Sequence, residues 1–444
     1  MHKTFPCFHF PHQSGKESWL FDFGEGSVRQ AVRSKKSVME VTRIFITHTH
    51  GDHILGLPSL LMQVGSYQTG AEAGASEAHP IHIYGPPGLY HYLCTVLRIT
   101  EASVAREVVV HEMVLSQADA SRVDSLGATL RWRRPWGAYN HESLSNQGQE
   151  QFRRDYPNIS RVAVCSDAHD GLWNLVDMAE GVRVQAGLVL HRIPCFGFVI
   201  TEADTSGRLQ MNRCDELGVT SYSDYVQLKA GRDVVGPEGR VIRSADVCGP
   251  PLRGRKITIL GDTSNADLLA QAAQDSDVLV HECTYDMSKQ ANAKKSGHST
   301  PQMAVRAFYK FQAKKLVLNH IGTQYVPETS HNKAGGWEGK RERERERERE
   351  GAASGSTTGS STRTDALILE QARDYMGPAC RGHVTLARDF ETIKVPTGGF
   401  SSAAATSADC KTSSASASEK VPCSSSNGLH NRASAAKAKI KGRI

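Results

Sequence analysis

"FITHTHGDHILGLPSLL" (residues 45–61) places three histidines and an aspartate within six positions, His48 to His53, directly after a short apolar run. A structural explanation exists, since histidine is tolerated at a helix start and Asp52 could serve as an N-cap. That explanation accounts for only one of the four residues. In an extended segment residues i and i+2 point the same way, so His48 and His50 can grip one ion together. Asp52 and His53 lie past the turn and face a neighbouring ion. Imidazoles combined with carboxylates suit zinc, with manganese as the alternative.

Working outward, short β-branched runs alternate with helical periodicity, which predicts layers of strands and helices. The strand candidates are 41–46, 81–84, 108–114, 187–190, 195–201, 256–260, 277–280 and 315–319. Helices are expected over 54–64, 87–99, 264–275 and 300–313. The last opens at "STPQMA", a Ser/Thr cap followed by a proline in the first turn. Five of these strands run into a potential ligand: His48, His191, Asp262, His281 and His320. Strand ends are where layered α/β proteins present functional side chains from a rigid base. Asp262 is suited to bridging, because a carboxylate offers one oxygen to each of two metals.

The rest of the chain bounds this reading. Its 444 residues could hold two or three domains, or one large domain with appendages. The Ser/Ala-rich end at 397–444 and the Arg-Glu run at 340–350 cannot bury a core, and both are expected to be solvated or disordered. The formal charge of +6 hints at a polyanionic partner, although part of it lies in that tail. Ten cysteines are scattered without a Cys-x-x-Cys pair, as expected of reduced intracellular thiols. No apolar run reaches spanning length, and the first residues lack the layout of a secretory signal. The expectation is a soluble intracellular protein without a membrane partner, in the nucleus or cytoplasm, with an organelle left open.

"THTHGDHILGLPSLL" resembles the signature of the metallo-β-lactamase fold in the form found in ribonuclease Z, the tRNA 3′-processing endoribonuclease. Further similar stretches follow in order: "FDFGEGSVRQ" (21–30), "IYGPPGL" (83–89), "LVLHRIPCFGFVI" (188–200), "GRKITILGDTS" (254–264), "VLVHECTY" (278–285), "SGHSTPQMA" (296–304), "LVLNHIGTQY" (316–325) and "LARDFETIKVP" (386–396). The resemblance covers most of 18–326 and resumes over about 365–396. It implies an α/β fold, an αββα sandwich, with two zinc ions per chain and manganese possible. His48, His50 and His191 would hold one ion and Asp52, His53 and His320 the other, with Asp262 bridging. It further implies that Asp52 acts as the base on the attacking water. His298 would protonate the leaving oxygen, with Glu282 nearby and His281 behind the ligands. The chemistry is consistent, because an alkoxide leaves poorly unless protonated and imidazole titrates near working pH.

The implied domain plan is an unmatched segment (1–17), a catalytic domain (18–326), a low-complexity insertion (327–364), the domain's closing helix and strand (365–396) and the tail (397–444). Within the catalytic domain, 202–245 is similar to an arm that clamps tRNA. Arg208, Arg213, Lys229 and Arg232 are its candidate phosphate contacts, against the alternative of a solvated helical hairpin. Only about twenty unlike residues precede "FDFGEG", so the first strand of the fold is expected to be missing or replaced. Residues 131–180 are expected to form a surface insertion, with ordinary roles for His141 and His169. His82 and His111 are expected to be packed or half-exposed rather than liganding. A single copy of the motif matches the short form of the family and implies a homodimer acting on precursor tRNA. Two alternatives stand beside this one. The first is another dinuclear hydrolase of the fold, arylsulfatase-like or a cyclic phosphodiesterase, which cleavage of a small diester against precursor tRNA would separate. The second is an inactive RNA-binding relative, which metal content would separate.

Overall fold

Runs of Val, Ile and aromatic residues favour extended backbone, and in the computed structural model they build two sheets. The structure describes residues 7–12, 15–34, 37–66, 79–104, 106–126, 132, 153–177, 181–325, 364–396 and 398. The first sheet consists of β1 (Cys7–His12), β2 (Gly15–Phe21), β3 (Val41–Phe45), β4 (Ile81–Gly85), β5 (Val108–Val114) and β6 (Ile159–Cys165), in that spatial order. Only the β1–β2 pair is antiparallel. The second sheet is built from β7 (Trp173–Val176), β8 (Val182–Val189), β9 (Cys195–Glu202), β12 (Lys256–Leu260), β13 (Val278–Glu282), β14 (Leu316–Asn319) and β15 (Val384–Leu386). Its order is β15-β14-β13-β12-β9-β8-β7. A separate two-residue ladder joins β10 (Val234–Val235) to β11 (Val241–Ile242).

The helices, in chain order, are α1 (Ser27–Arg33), α2 (Gly51–Ile54), α3 (Leu57–Ser66), α4 (Leu89–Ile99), α5 (Gln117–Ser125), α6 (Met211–Glu216), α7 (Tyr222–Lys229), α8 (Ser244–Val247), α9 (Gln290–Ser296), α10 (Pro301–Lys310) and α11 (Asp365–Met376). None of the described helices is long and apolar enough to cross a membrane.

Alternation along the strands creates two cores. The inner faces meet through Phe21, Phe45, Tyr84 and Met113 of the first sheet and Trp173, Phe196, Phe198 and Ile259 of the second. Phe45 stacks on Phe21 and Tyr84, with ring centroids at 4.8 and 4.9 Å, and meets the edge of Phe198 at 5.4 Å. The outer face of the first sheet, including Ile44, Ile83 and Val110, is covered by Leu57, Leu60 and Leu61 of α3 and Leu93 and Leu97 of α4. On the second sheet, buried Leu279, Leu316 and Leu318 lie on the side where α10 and α11 pack. The layers run helix, sheet, sheet, helix, the αββα order expected.

Several elements differ from expectation. At the place of the strand expected to be missing or replaced, residues Cys7–His12 form β1, which pairs with β2 from Cys7↔Leu20 to His12↔Gly15. The stretch read as a surface insertion supplies the edge strands β6 and β7, whose Ile159, Trp173 and Val176 are buried. Polar residues interrupt both strands, which hid their periodicity. The helix expected over 264–275 is a single 3₁₀ turn at Asp267–Leu269 followed by turns. Its start is tied to the end of β8 by the Leu190↔Asn265 bridge, and Asp275 adopts a left-handed φ of 59°. Residues 1–6, 326–363 and 399–444 lie outside the described residues, as does His141.

Because Phe45 joins both sheets, Phe45→Ala should cost about 3–5 kcal/mol. Urea unfolding should show a lower midpoint with an unchanged slope.

Candidate metal centre

The two sheets deliver their strand ends to one edge. β8, β12, β13 and β14 all run in the same direction, since β9 is antiparallel to both β8 and β12. Their C-terminal ends therefore lie together. The end of β3 is stitched to them, because Phe196 N–H donates to Thr47 O at 2.9 Å. Gly261 makes this approach possible. A Cβ there would lie 2.6 Å from both Thr47 Cβ and Cys195 Sγ, closer than real side chains come.

At this edge His48, His50, His191 and Asp262 form one donor group and Asp52, His53 and His320 another. His48 Nε2 and His191 Nε2 stand 2.9 and 3.3 Å from His50 Nδ1. On the other side, Asp52 Oδ2 lies 3.4 Å from His53 Nε2 and 3.3 Å from His320 Nε2. Asp262 faces both groups. Its Oδ2 is 3.6 Å from His48 Nε2, while its Oδ1 is 3.6 Å from His53 Nε2 and 3.3 Å from His320 Nε2. Asp52 does not cap the following helix; His50 holds the N-cap position of α2, and Asp52 sits in the first turn.

The donor set fits a metal on three observations. The buried Nε2 of His53 has no hydrogen-bond partner, although it faces carboxylates. The second ring nitrogens of four histidines are held from behind. Thr47 Oγ1 meets His48 Nδ1 at 3.0 Å, Asp22 Oδ2 meets His53 Nδ1 at 2.7 Å, Gly297 O meets His191 Nδ1 at 2.7 Å and Thr284 Oγ1 meets His320 Nδ1 at 3.0 Å. Such contacts fix ring orientation, as in metal sites generally. The protonation of the first group also fits, whereas at His53 burial opposes charge but Asp22 and Asp262 outweigh it and raise the imidazole. Burial pushes His48 well below its usual value, and His50 and His191 down to about 4, so these imidazoles are neutral donors. Burial would raise Asp262, but the surrounding histidines, His320 first, hold it well below the carboxylate range.

Other residues named from sequence fall as follows. His298 is buried beside the centre, and its Nδ1 lies 2.9 Å from Glu282 Oε1. Burial opposes charge on His298, but Glu282 outweighs it and raises the imidazole; in turn His298 lowers Glu282 against the effect of burial. Although His298 also lies near Asp262 and His320, this Nδ1 is engaged by Glu282. His281 is not in any donor group among the described residues, and its Nδ1 meets Glu282 O. His82 and His111 are half-buried and 3.0 Å apart on the inner face of the first sheet, and His169 is exposed in a turn.

The arm residues are not gathered at the centre. Between β9 and β12 the chain forms a small knob with its own core of Cys214, Val219, Leu228, Val234, Ile242 and Val247. Its stalk is closed by the Thr205↔Leu252 and Leu209↔Cys248 bridges. A helix pair alone does not describe it, because β10 and β11 complete it. Arg213 pairs with Glu216 at 2.6 Å, Lys229 Nζ donates to Ser206 O and Gly207 O, and Arg232 Nε donates to Gln227 Oε1. Arg208 is exposed.

Sequence reasoning missed Asp22, Thr47 and Thr284. Asp22 accepts from Thr47 N–H at 2.7 Å and Thr47 Oγ1–H at 2.8 Å while holding His53. Its signal was its place at the end of an apolar strand in "LFDFGEG".

An αββα sandwich carrying two facing histidine–aspartate groups at one edge defines a metallohydrolase of the metallo-β-lactamase fold. The chain belongs to the ribonuclease Z family, which includes zinc phosphodiesterase ELAC protein 1. It is 37% identical over 314 residues to "Zinc phosphodiesterase ELAC protein 1" of Mus musculus, covering 70% of this chain and 80% of that protein. It is 34% identical over 316 residues to "Ribonuclease Z" of Limosilactobacillus reuteri, covering 71% and 81%. Among solved structures it is similar to human tRNase Z, short form, with 27% identity, a TM-score of 0.46 and coverage of 72% and 87%. No protein-family model matches the chain. The names of the relatives and the histidine–aspartate cluster support zinc as the metal.

Asp22→Ala should weaken zinc binding by roughly 10- to 100-fold, as loss of an orienting partner does. Competition against a chromogenic chelator would measure this, and unchanged affinity would show that Thr47 and packing orient His53 without it.

Proposed function

We propose that this chain is a zinc-dependent endoribonuclease that removes the 3′ trailer from precursor tRNA and leaves a 3′-hydroxyl on the tRNA. The observation that carries the chemistry is Asp262, whose two oxygens face separate donor groups in a chain related to ribonuclease Z. His48, His50 and His191 would hold one ion and Asp52, His53 and His320 the second, with Asp262 shared. When bound, a pair of zinc ions supplies a strong nucleophile from water at neutral pH and a positive clamp for the phosphodiester.

The side chains divide the proton transfers. Asp52 takes the proton of the attacking water. As the new P–O bond forms and the bond from phosphorus to the 3′-oxygen breaks, His298 gives its proton to that oxygen. Glu282 orients His298 through its Nδ1 and favours the charged imidazole that can donate. The product is a 3′-hydroxyl on the tRNA and a 5′-phosphate on the trailer. The knob between β9 and β12 is the tRNA-binding arm, with Arg208, Arg213, Lys229 and Arg232 as its phosphate contacts, and the protein works as a homodimer.

Both Asp262→Ala and His50→Ala should abolish trailer cleavage and lower zinc content, Asp262→Ala more severely because it serves both ions. Metal analysis and a single-turnover assay on a precursor tRNA check this. Two zinc ions and near-normal turnover in Asp262→Ala would overturn the shared role.

The arm is tested separately. Replacing residues 206–251 with a short Gly/Ser linker, cut where the Thr205↔Leu252 bridge closes the stalk, should cripple cleavage of precursor tRNA. Hydrolysis of a small activated phosphodiester should be nearly unchanged. The salt dependence of tRNA binding should flatten by roughly one unit of log–log slope per lost phosphate contact. Equal slowing of both substrates would assign the knob to fold or dimer support instead.

A further inference from the structure

Arg192 follows His191 in the bend between β8 and β9 and is half-buried. Arg161 and Arg255, also partly buried, have carboxylates, Glu112 at 2.6 Å and Glu202, while buried Arg106 donates to the backbone carbonyls of His79 and Met39. Arg192 has no hydrogen bond or ion pair among the described residues, and its Nε is enclosed without a partner. Enclosing a polar donor without a partner is costly, so the position calls for an anion that arrives from outside the chain. Its surroundings say where. Arg192 directly follows His191 past the end of β8, on the edge where the strand ends bring the donor groups together, and in keeping with that place its charge disfavours protonation of His50 and His298.

We propose that Arg192 is a further catalytic residue, whose guanidinium binds a non-bridging oxygen of the scissile phosphodiester beside the metal centre. This rests on reading the centre as a phosphodiester hydrolase. The planar guanidinium can donate two parallel N–H bonds to a phosphate, which the point charge of a lysine cannot reproduce. As water adds to phosphorus, negative charge grows on the non-bridging oxygens, and a fixed cation there gains strength toward the transition state. No covalent bond to Arg192 forms, and no proton leaves it.

The test compares wild type, Arg192→Ala and Arg192→Lys, each zinc-loaded, on a precursor tRNA with a 3′ trailer and on bis(p-nitrophenyl) phosphate, which has a single phosphate. Zinc content and thermal unfolding are measured alongside. The expected result is a fall in kcat/KM of roughly 10²- to 10³-fold for Arg192→Ala on both substrates. Zinc content and unfolding should stay unchanged, and Arg192→Lys should recover little. Millimolar guanidinium should restore part of the Arg192→Ala activity, while methylammonium should not. Slowing of the tRNA reaction alone would overturn the assignment, because the contact would then be to a flanking phosphate. Unchanged rates on both substrates would overturn it too, as would a loss accompanied by loss of zinc and no guanidinium rescue. The diester comparison reads Arg192 even where a wild-type failure to cut the trailer defeats the tRNA reading.

Discussion

Everything at this centre depends on bringing one buried carboxylate, Asp262, to the seam between two sheets. Its two oxygens must each face a different group of imidazoles, and separations of 3.3–3.6 Å leave little slack. Gly261 gives the backbone the room to reach that seam. The hydrogen bond from Phe196 to Thr47 locks the sheets at the same height. Asp22 adds a second lock, since it ties the end of β3 to the ring of His53. The aromatic stack behind it, Phe21, Phe45 and Tyr84 against Phe198, resists the sliding of one sheet over the other. Stiffness there matters because packed interiors deform little, and a site of this kind tolerates only small displacements of its donors.

Ligand density made the centre legible from sequence. His48, His50, Asp52 and His53 crowd a single strand end, and His191, Asp262 and His320 lie just past short, largely apolar runs. The groups behind them were harder to read. Thr47 and Thr284 are ordinary residues whose importance comes from which ring they touch, and His191 is oriented by a backbone carbonyl that carries no side-chain signature at all. Strands were recognised where they are buried on both faces and continuously apolar, as in β9, β12 and β13. Edge strands β6 and β7 were lost because one face meets solvent and polar residues interrupt the pattern. His281, expected behind the ligands, belongs to no donor group among the described residues. It sits near a strand end like the other candidates, but β13 continues one residue further, and its ring turns toward its own neighbour's carbonyl.

The knob shows how position and availability differ. Of the four cations read as phosphate contacts, Lys229 is spent on the stalk, where its ammonium binds two backbone carbonyls. Arg213 and Arg232 lean on Glu216 and Gln227 in exposed settings, where such pairs are weak. They can exchange those partners for a polyanion at little cost, whereas Lys229 would have to release the stalk. Arg208, exposed at the stalk, needs no such exchange. On the proposed reading of the knob, affinity for RNA would therefore fall unevenly among four residues that look equivalent in sequence.

Charge at the centre explains why metal and arginine belong together. Asp22, Asp52, Asp262 and Glu282 bring four carboxylates to one small region, and without cations that region repels a phosphodiester. Two divalent ions would balance those four charges, and the one positive charge of protonated His298 is given up to the leaving oxygen, so these groups leave little lasting attraction for the anionic substrate. The surplus must come from the protein. Arg192, next to His191 in the chain, pairs with no carboxylate among the described residues. A cation placed to stabilise the carboxylates would be bound to one. One kept unpaired near a balanced centre is positioned for charge that arrives with the substrate and grows as the phosphorus is attacked.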